Sequence, residues 1–227
     1  MQDIPGVLSL VATPIGNLED ITLRALRTFR ECDYVLCEDT RVTGKLLAHH
    51  GITTTLKRYD AHASDRMHVK ILADLTAGQH VALVSDAGTP GISDPGVRLV
   101  QAARAAAARL ETIPGPSALT AAVSLAGLPG NQFTFLGFIP QKKGRQTFFA
   151  SLAQYSYPVV CFEATHRITK TLTSLAELYP EHTVTLAREL TKLHEEVLVG
   201  TARELLDQLT MQPVKQKGEF VLVWHNQ

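Results

Sequence analysis

Residues 81–96, VALVSDAGTPGISDPG, join an apolar segment directly to a loop that is rich in glycine and proline. Val81–Val84 is short and has no polar alternate position, which is typical of a strand buried on both faces. The loop Ser85–Gly96 loses much conformational freedom on folding, as expected where a backbone must approach another group closely. The segment predicts a buried strand with a binding loop at its carboxyl end. A rigid surface turn in which Asp86 caps its own loop is the alternative interpretation.

The same order of strand, loop and helix is found on both sides of this segment. Helical spacing separates the apolar runs, and one of the predicted helices is capped at Ser64 and ends at Gly78. Alternation of short apolar strands with helices indicates an α/β fold with a mostly parallel sheet that is covered on both faces. The predicted strands of this first domain are Val7–Ala12, Tyr34–Cys37, Thr53–Lys57, Val81–Val84 and Leu110–Ile113.

The chain changes character at Pro114–Pro116, a stiff break that we interpret as the connection between two domains, 1–114 and 115–227. In the second domain strands follow one another with fewer helices between them, which predicts a mixed, partly antiparallel sheet. Thr201 and Glu204 have the spacing of a capping box at the start of a helix. The predicted strands are Phe133–Phe138, Val159–Phe162, Val184–Ala187, Val197–Val199 and Phe220–Trp224, and the main helices are Ile168–Leu178 and Arg203–Met211.

The 227 residues balance 22 lysines and arginines against 22 aspartates and glutamates, so only a local patch could attract a polyanion.

The three cysteines lie in apolar runs without a C-x-x-C pair, which is typical of buried thiols in a reducing compartment. Residues 1–5 carry an acid where a signal peptide needs basic residues, and no apolar run reaches the roughly 20 residues of a membrane helix. We expect a cytoplasmic protein. We predict no metal site, because these histidines have no ligand spacing with cysteines or acids: His49, His50, His62 and His68.

Polar, glycine-rich loops follow four of the five strands predicted for the first domain. Because parallel strands end at one edge of a sheet, these loops are expected to share the edge at which open α/β sheets bind ligands. None of them is a Walker motif or a G-x-G-x-x-G motif, which disfavours a nucleotide phosphate as the ligand. The loops are Pro14–Asn17, Glu38–Arg41, Ser85–Gly96 and Pro114–Ala118.

In this order and spacing, the four loops resemble successive signature blocks of the ribosomal RNA small-subunit methyltransferase I family, within the tetrapyrrole methylase superfamily. Residues 162–168, 187–192 and 217–221 are similar to three further blocks, so the resemblance covers essentially the whole chain. The family block around Glu163 usually reads Glu-Ser-Pro-His-Arg, whereas Ala164 and Thr165 replace Ser-Pro here. The resemblance implies a homodimer that associates through the first domain.

The resemblance further implies S-adenosylmethionine bound in a cleft between the two domains and a methyl group transferred to the ribose 2'-oxygen of a cytidine in small-subunit ribosomal RNA. For Phe162 and Ala187, packing in the core is the alternative interpretation. The residues expected at the cofactor are Pro14, Gly16, Asp86, Ala87, Gly88, Ile92, Ser117, Ala118, Phe162 and Ala187.

A ribose hydroxyl is a poor nucleophile, so a base or a cation must favour its alkoxide. The candidate acceptors are Asp39, Glu163 and Glu189, and the candidate cations are Arg41, Arg188 and Lys192. Ion pairs that merely brace the cleft are the alternative interpretation for each of them. For the RNA phosphates, the most concentrated positive segment contains Lys142, Lys143 and Arg145, and a solvated loop is the alternative there.

Two rival functions remain open at the level of the sequence. The same superfamily methylates tetrapyrrole precursors, but those relatives typically have Gly-Asp-Pro where this chain has Ser85–Gly88. A non-catalytic module that binds a nucleoside-like metabolite is the second rival. Methyl transfer to any acceptor would exclude the second, and stoichiometric binding of a tetrapyrrole would favour the first.

Overall fold

The computed structural model describes residues 6–60, 63–94 and 96–225. The N-terminal segment 1–5, His62 and Pro95, which entered the expectations above, lie outside these ranges. The chain divides into two compact units, Met1–Ser117 and Ala118–Gln227. The boundary predicted from the sequence is Pro114, three residues earlier.

The first unit is built on a parallel sheet of five strands in the order β3-β2-β4-β1-β5. Every neighbouring pair in it is parallel, so the predicted α/β architecture is confirmed. The strands are β1 Val7–Val11, β2 Tyr34–Cys37, β3 Leu56–Arg58, β4 His80–Leu83 and β5 Arg109–Ile113, and the helices are α1 Leu23–Glu31, α2 Thr40–His49, α3 Asp65–Thr76 and α4 Gly96–Ala105.

Separate apolar clusters cover the two faces of this sheet. Along β1 the side chains alternate, so that Leu8 packs with Leu99 in one cluster and Val11 packs with Phe29 in the other. All four are completely buried. This two-sided burial explains why the strands of the first unit are short, continuous apolar runs in the sequence.

The second unit contains a mixed sheet in the order β6-β7-β10-β8-β9. Only the β6–β7 pair is parallel, and the other three pairs are antiparallel, which confirms the predicted mixed sheet. Two of its helices, α5 and α6, were not among those predicted from the sequence. The strands are β6 Thr134–Phe138, β7 Val159–Glu163, β8 Thr183–Arg188, β9 Glu196–Thr201 and β10 Phe220–Trp224, and the helices are α5 Ala118–Ala126, α6 Arg145–Ser151, α7 Ile168–Leu178 and α8 Ala202–Met211.

The two faces of the second sheet are covered by different helices. Leu172 of α7, Leu205 of α8 and Trp224 of β10 belong to one buried cluster. Helix α5 packs along β10 and β8 outside that cluster. The face under α5 carries Phe162, Val221 and Ala187, because Val221 pairs with both of the others across the sheet.

The three cysteines are buried and unbonded. Among the helices that the structure describes, none combines the length and the hydropathy that a bilayer span requires.

The capping box predicted at the start of α8 is present. Thr201 accepts a hydrogen bond from Glu204 N at 3.3 Å, and Glu204 Oε2 accepts one from Thr201 N at 2.8 Å.

We expect Thr201→Ala to lower the free energy of unfolding by about 1 kcal/mol, since an N-terminal backbone donor loses its partner. Urea unfolding followed through Trp224, which lies in the same unit, measures the change. Thr173→Ala, at an exposed mid-helix threonine, is the matched control and should leave stability unchanged or slightly higher; equal losses in the two variants would contradict the assignment.

Candidate functional site

Hydrogen bonds connect the four loops at the carboxyl ends of β1, β2, β4 and β5, which we call the rim loops (residues 12–17, 38–41, 85–96 and 114–117). Thr13 and Gly88 exchange two main-chain hydrogen bonds of 3.0 Å, which join the first rim loop to the third. Asp39 N donates to Asp86 Oδ1 at 3.1 Å, and the Thr89 hydroxyl donates to Pro116 O at 3.5 Å. The predicted convergence of these loops at one edge of the sheet is therefore observed within the first unit.

Two glycines in the rim loops stand where a side chain would interfere. Gly88 has a φ of +79°, in the left-handed region, and a Cβ built there would lie 3.4 Å from Ile15 Cγ2. A Cβ at Gly115 would lie 3.1 Å from Ala12 Cβ. The backbones of the rim loops approach one another closely because these positions lack a side chain.

The residues expected at the cofactor differ in exposure within the first unit. Pro14 and Gly88 are buried beneath the rim, whereas the exposed residues are Gly16, Asp86, Ala87 and Ile92, and Ser117 is half-buried. Asp94, which was not singled out from the sequence, fixes the loop around Ile92: its carboxylate accepts from Gly91 N at 2.6 Å and from Gly96 N at 2.7 Å.

Glu38, the neighbour of Asp39, is a rim carboxylate that was not among the predicted site residues. Burial raises the pKa of Glu38, and the negative charges of Asp86, Asp94 and Asp60 raise it further. Its position directly after a buried strand could have marked Glu38 as a candidate site residue. Its raised pKa could not be predicted, because the three carboxylates that raise it come from distant parts of the chain. The rim loops thus present a concentrated negative charge, which favours a cationic ligand and disfavours a phosphate.

Asp39 and Arg41 form a local ion pair at the start of α2. The Asp39 carboxylate accepts from Arg41 N at 2.8 Å and lies 2.6 Å from Arg41 Nη2. These hydrogen bonds from Arg41 hold the pKa of Asp39 well below its usual range. A carboxylate stabilised in this way is a weak base, so the structure favours a capping role for Asp39.

In the second unit, the three later signature blocks lie side by side at one edge of the sheet. Phe220, at the start of β10, pairs with both Glu163 and Arg188, at the ends of β7 and β8. The Thr165 hydroxyl donates to Gly218 O, and Glu219 N donates to Glu189 Oε1 at 2.8 Å. Segments that are far apart in the sequence therefore form one structural feature.

Glu163 is buried in an ion-pair network. Its carboxylate lies 2.7 Å from Arg167 Nε and 3.4 Å from Arg145 Nη1, and it accepts from the Thr171 hydroxyl at 2.5 Å. The Arg145 guanidinium also donates to Pro140 O at 3.1 Å and to the Thr171 hydroxyl at 2.6 Å. The side chain of Arg145 is only 8% exposed, so little of its guanidinium is accessible to a phosphate. The structure favours a structural role for both Glu163 and Arg145.

Arg188 and Lys192 have different environments. The buried Arg188 guanidinium donates to Lys217 O at 2.7 Å and to His194 O at 3.1 Å, which ties together the loops on either side of it. Lys192 Nζ donates to Glu189 Oε1 at 2.8 Å and to Glu219 Oε2 at 3.1 Å. Burial alone would lower the pKa of Lys192, but these carboxylates outweigh it and raise the pKa, so the ammonium stays charged.

Glu189 is held in a strained position beside Lys192. Its φ is +52° and that of Thr191 is +66°, both in the left-handed region that non-glycine residues avoid. A Cβ at Gly218 would lie 2.5 Å from Glu189 Cγ, so that glycine makes room for the side chain. Burial alone would raise the pKa of Glu189, but hydrogen bonds from Lys192 and Glu219 N outweigh it and lower the pKa. Strain of this kind concentrates at functional sites.

Phe162 belongs to what we call the aromatic cluster, with Phe135 and Phe138. The Phe162 ring centroid lies 5.0 Å from that of Phe135 and 5.3 Å from that of Phe138, in edge-to-face geometry. Phe162 is half-buried and Ala187 is fully buried. The two share the sheet face on which α5 packs, and Ala118 is the first residue of α5.

The loop Gln141–Gly144, which we call the basic loop, follows β6. Lys142 and Lys143 are exposed. Within residues 118–225, no carboxylate lies at ion-pairing distance from either ammonium group. The basic loop therefore offers two exposed positive charges that no carboxylate among residues 118–225 neutralises.

The fold is that of a class of methylases. The family model described as Tetrapyrrole (Corrin/Porphyrin) Methylases matches residues 7–206. A solved structure of uroporphyrin-III C-methyltransferase from Thermus thermophilus, complexed with S-adenyl homocysteine, has a TM-score of 0.64 at 19% identity and covers 96% of each chain. At that identity the likeness concerns the fold alone.

Two similar relatives are both named "Ribosomal RNA small subunit methyltransferase I". The one from Xylella fastidiosa is 48% identical over 221 residues, which cover 96% of this chain and 81% of the relative. The one from Thermotoga maritima is 43% identical over 218 residues, which cover 96% of this chain and 97% of the relative. The chain therefore belongs to the ribosomal RNA small subunit methyltransferase I family within the tetrapyrrole methylases, which confirms the resemblance carried by the signature blocks.

The opposite pKa directions of Glu38 and Asp39 predict opposite effects of neutralising them. Glu38 is protonated in both folded and unfolded states below about pH 4, and above its raised pKa the ionised form destabilises the fold. Glu38→Gln should raise Tm at pH 7 and change it little near pH 4. Asp39→Asn is the matched control: asparagine caps a helix equally well, but the ion pair is removed, so Tm should fall at pH 7. Scanning calorimetry at both pH values checks the two signs, and a lower Tm for Glu38→Gln at pH 7 would contradict the strained state of this carboxylate.

The burial of Arg145 separates it from the lysines next to it in the sequence. We expect Arg145→Ala to lower the free energy of unfolding by about 3 to 5 kcal/mol, because Glu163 would keep its charge with one partner fewer. The double variant Lys142→Ala, Lys143→Ala should change it by about 0.5 kcal/mol or less, since both side chains are exposed. Urea titrations followed by Trp224 fluorescence compare them, and similar stabilities for the two variants would refute the assigned network.

Proposed function

We propose that this protein transfers a methyl group from S-adenosylmethionine to the ribose 2'-oxygen of a cytidine in small-subunit ribosomal RNA. The observation that carries the proposal is its close similarity, over nearly its whole length, to relatives named for methylation of that RNA. The choice of the 2'-oxygen of a cytidine as the acceptor atom rests on the signature blocks.

The charge of the rim loops suits the methyl donor. S-adenosylmethionine supplies an electrophilic methyl group on a positively charged sulfonium. The negative charge around Glu38, Asp86 and Asp94 favours such a cation. Gly88 and Gly115 let the rim loops approach one another closely, and none of these loops has the motif of a phosphate cradle. We propose the rim loops and Ser117 as the donor's contacts in the first unit; Ala118, Phe162 and Ala187 stay predictions of the family resemblance.

Lys192 is the candidate that best fits a role at the acceptor oxygen. Glu189 and Glu219 hold its ammonium charged and in a fixed position, and a fixed cation stabilises negative charge that develops on an oxygen. Glu189 is then a positioning residue, whose own basicity is reduced by the same contact. Arg41 remains a second candidate cation, because its side chain is 86% exposed despite the pair with Asp39.

The tetrapyrrole methylases offer an alternative acceptor, a porphyrin or corrin precursor. The support for it is weaker, because the solved structure of that kind shares the fold at 19% identity, whereas the ribosomal RNA relatives share more than twice that identity. A cytoplasmic location and a homodimer associating through the first unit stay predictions of the family resemblance.

Methyl transfer is tested with labelled S-adenosylmethionine and small ribosomal subunits from a strain that lacks the enzyme. We expect one labelled nucleotide in the small-subunit RNA, with the label on a cytidine ribose. Label on a base, or label only when a tetrapyrrole precursor is supplied, would overturn the proposed acceptor.

Two rim variants test the donor site. We expect Asp86→Ala to weaken S-adenosylmethionine binding by about tenfold or more, since a charged anchor and the acceptor for Asp39 N are both removed. Gly88→Val should weaken it similarly, because valine is strained at a φ of +79° and meets Ile15. Calorimetric titration gives the affinities. Asp86→Asn, which keeps an acceptor for Asp39 N, isolates the contribution of the charge; unchanged affinity in all three folded variants would refute this placement.

A further inference from the structure

Phe138 is an exposed aromatic side chain in the second unit, at the end of β6. It is 54% exposed, although its ring is held edge-to-face against Phe162 at 5.3 Å between centroids. The partner Phe162 also packs edge-to-face against Phe135, at 5.0 Å between centroids. An apolar ring that is both rigidly supported and open to solvent is a surface on which another flat group can stack.

A β-bulge places this ring. Phe135 pairs with Val160 and Phe138 pairs with Phe162, so β6 has one more residue than β7 over the same stretch. Residues three apart on a regular strand point to opposite faces, whereas here Phe135 and Phe138 both contact Phe162. Gly137, with a φ of +68°, supplies the backbone conformation of the bulge. Bulges commonly re-aim a side chain at a functional site.

The charge beside this ring indicates which flat group would stack there. The basic loop begins three residues after Phe138. Lys142 is four residues after Phe138, so the two Cα atoms are at most about 14 Å apart even if the chain between them is fully extended. Among residues 118–225, no carboxylate lies at ion-pairing distance from Lys142 or Lys143. An exposed aromatic ring next to unpaired lysines is the combination by which proteins bind single-stranded nucleic acid, with the base stacked and the phosphates paired.

We infer that Phe138 is a stacking platform for a nucleobase of the single-stranded RNA substrate, and that Lys142 and Lys143 bind the phosphates next to that base. The inference rests on the proposed function and deepens it, since it names the part of the protein that positions the acceptor strand. Phe138 acts here through π-stacking, so its contribution does not depend on salt. The lysines act through charge, so their contribution to RNA binding falls as the salt concentration rises.

Equilibrium binding of a short, labelled single-stranded RNA at several salt concentrations separates the two contributions. Phe138→Ala should weaken binding roughly 5- to 100-fold with an unchanged salt slope, the range found when a stacked aromatic is removed. Phe138→Trp should restore affinity, whereas Phe138→Leu, which keeps apolar volume but no π-face, should not. The double variant Lys142→Gln, Lys143→Gln should reduce the slope of log K against log salt by about 1.4, or roughly 0.7 for each phosphate that a lysine no longer neutralises.

Tyr157→Ala is the matched control, because this tyrosine is 43% exposed and lies before β7, at the other end of that strand from Phe162. It should bind RNA like the wild type. Affinity for S-adenosylmethionine should be the same in every one of these variants.

Three results would overturn the inference: wild-type RNA affinity in Phe138→Ala, full recovery in Phe138→Leu, or a loss of S-adenosylmethionine affinity in Phe138→Ala, which would assign the ring to the cofactor. A different set of results would refute the proposed function. A wild-type protein that binds RNA through Phe138 but transfers no methyl group to small subunits would leave the stacking platform standing and refute the function. Normal methylation and normal RNA affinity in Phe138→Ala would refute the stacking platform and leave the proposed function standing.

Discussion

Parallel pairing of β1 with both β4 and β5 is the constraint on which the candidate site depends. Strands that run in one direction deliver the loops that follow them to one edge, and neighbouring strands deliver neighbouring loops. Because β4 lies beside β1, Thr13 can exchange two hydrogen bonds with Gly88, although 75 positions separate them in the chain. The rim loops are thus joined by main-chain groups; a side chain at Gly115 would crowd Ala12, and one at Gly88 would be strained by its φ of +79°.

The sequence predicted those parts of the fold that depend on local patterns. Ile168–Leu178 and Phe220–Trp224 have the predicted bounds, and the capping box of Thr201 is present, because apolar spacing and caps are properties of adjacent residues. Helix α5 was missed because Ala118–Ala126 is apolar almost throughout and shows no polar stripe to mark a helical period. The family and its methylase fold were predictable because many weak blocks occur in one order.

What the sequence could not predict is the environment of individual charges. Lys142, Lys143 and Arg145 form one basic run in the sequence, yet Gly144, in the left-handed region with a φ of +83°, ends the loop and Arg145 begins a helix. Its guanidinium then meets Glu163, which is supplied by β7. Glu38 likewise owes its raised pKa to carboxylates from other loops. These properties arise from contacts between distant residues, so no local pattern reports them.

The distribution of these charges suggests how a chain with no net charge serves two ligands of opposite sign. The rim loops of the first unit concentrate carboxylates, which suit a sulfonium and repel phosphates. In the second unit, Glu189 and Glu219 hold the charged ammonium of Lys192 in one position, whereas Lys142 and Lys143 of the basic loop are exposed. Since relatives of this fold act on tetrapyrroles, the fold does not choose the acceptor. The acceptor surface that we propose consists of Phe138, turned outward by the bulge in β6, and the two lysines of the basic loop; all three belong to the second unit, whereas the parallel sheet whose loops we propose for the donor belongs to the first.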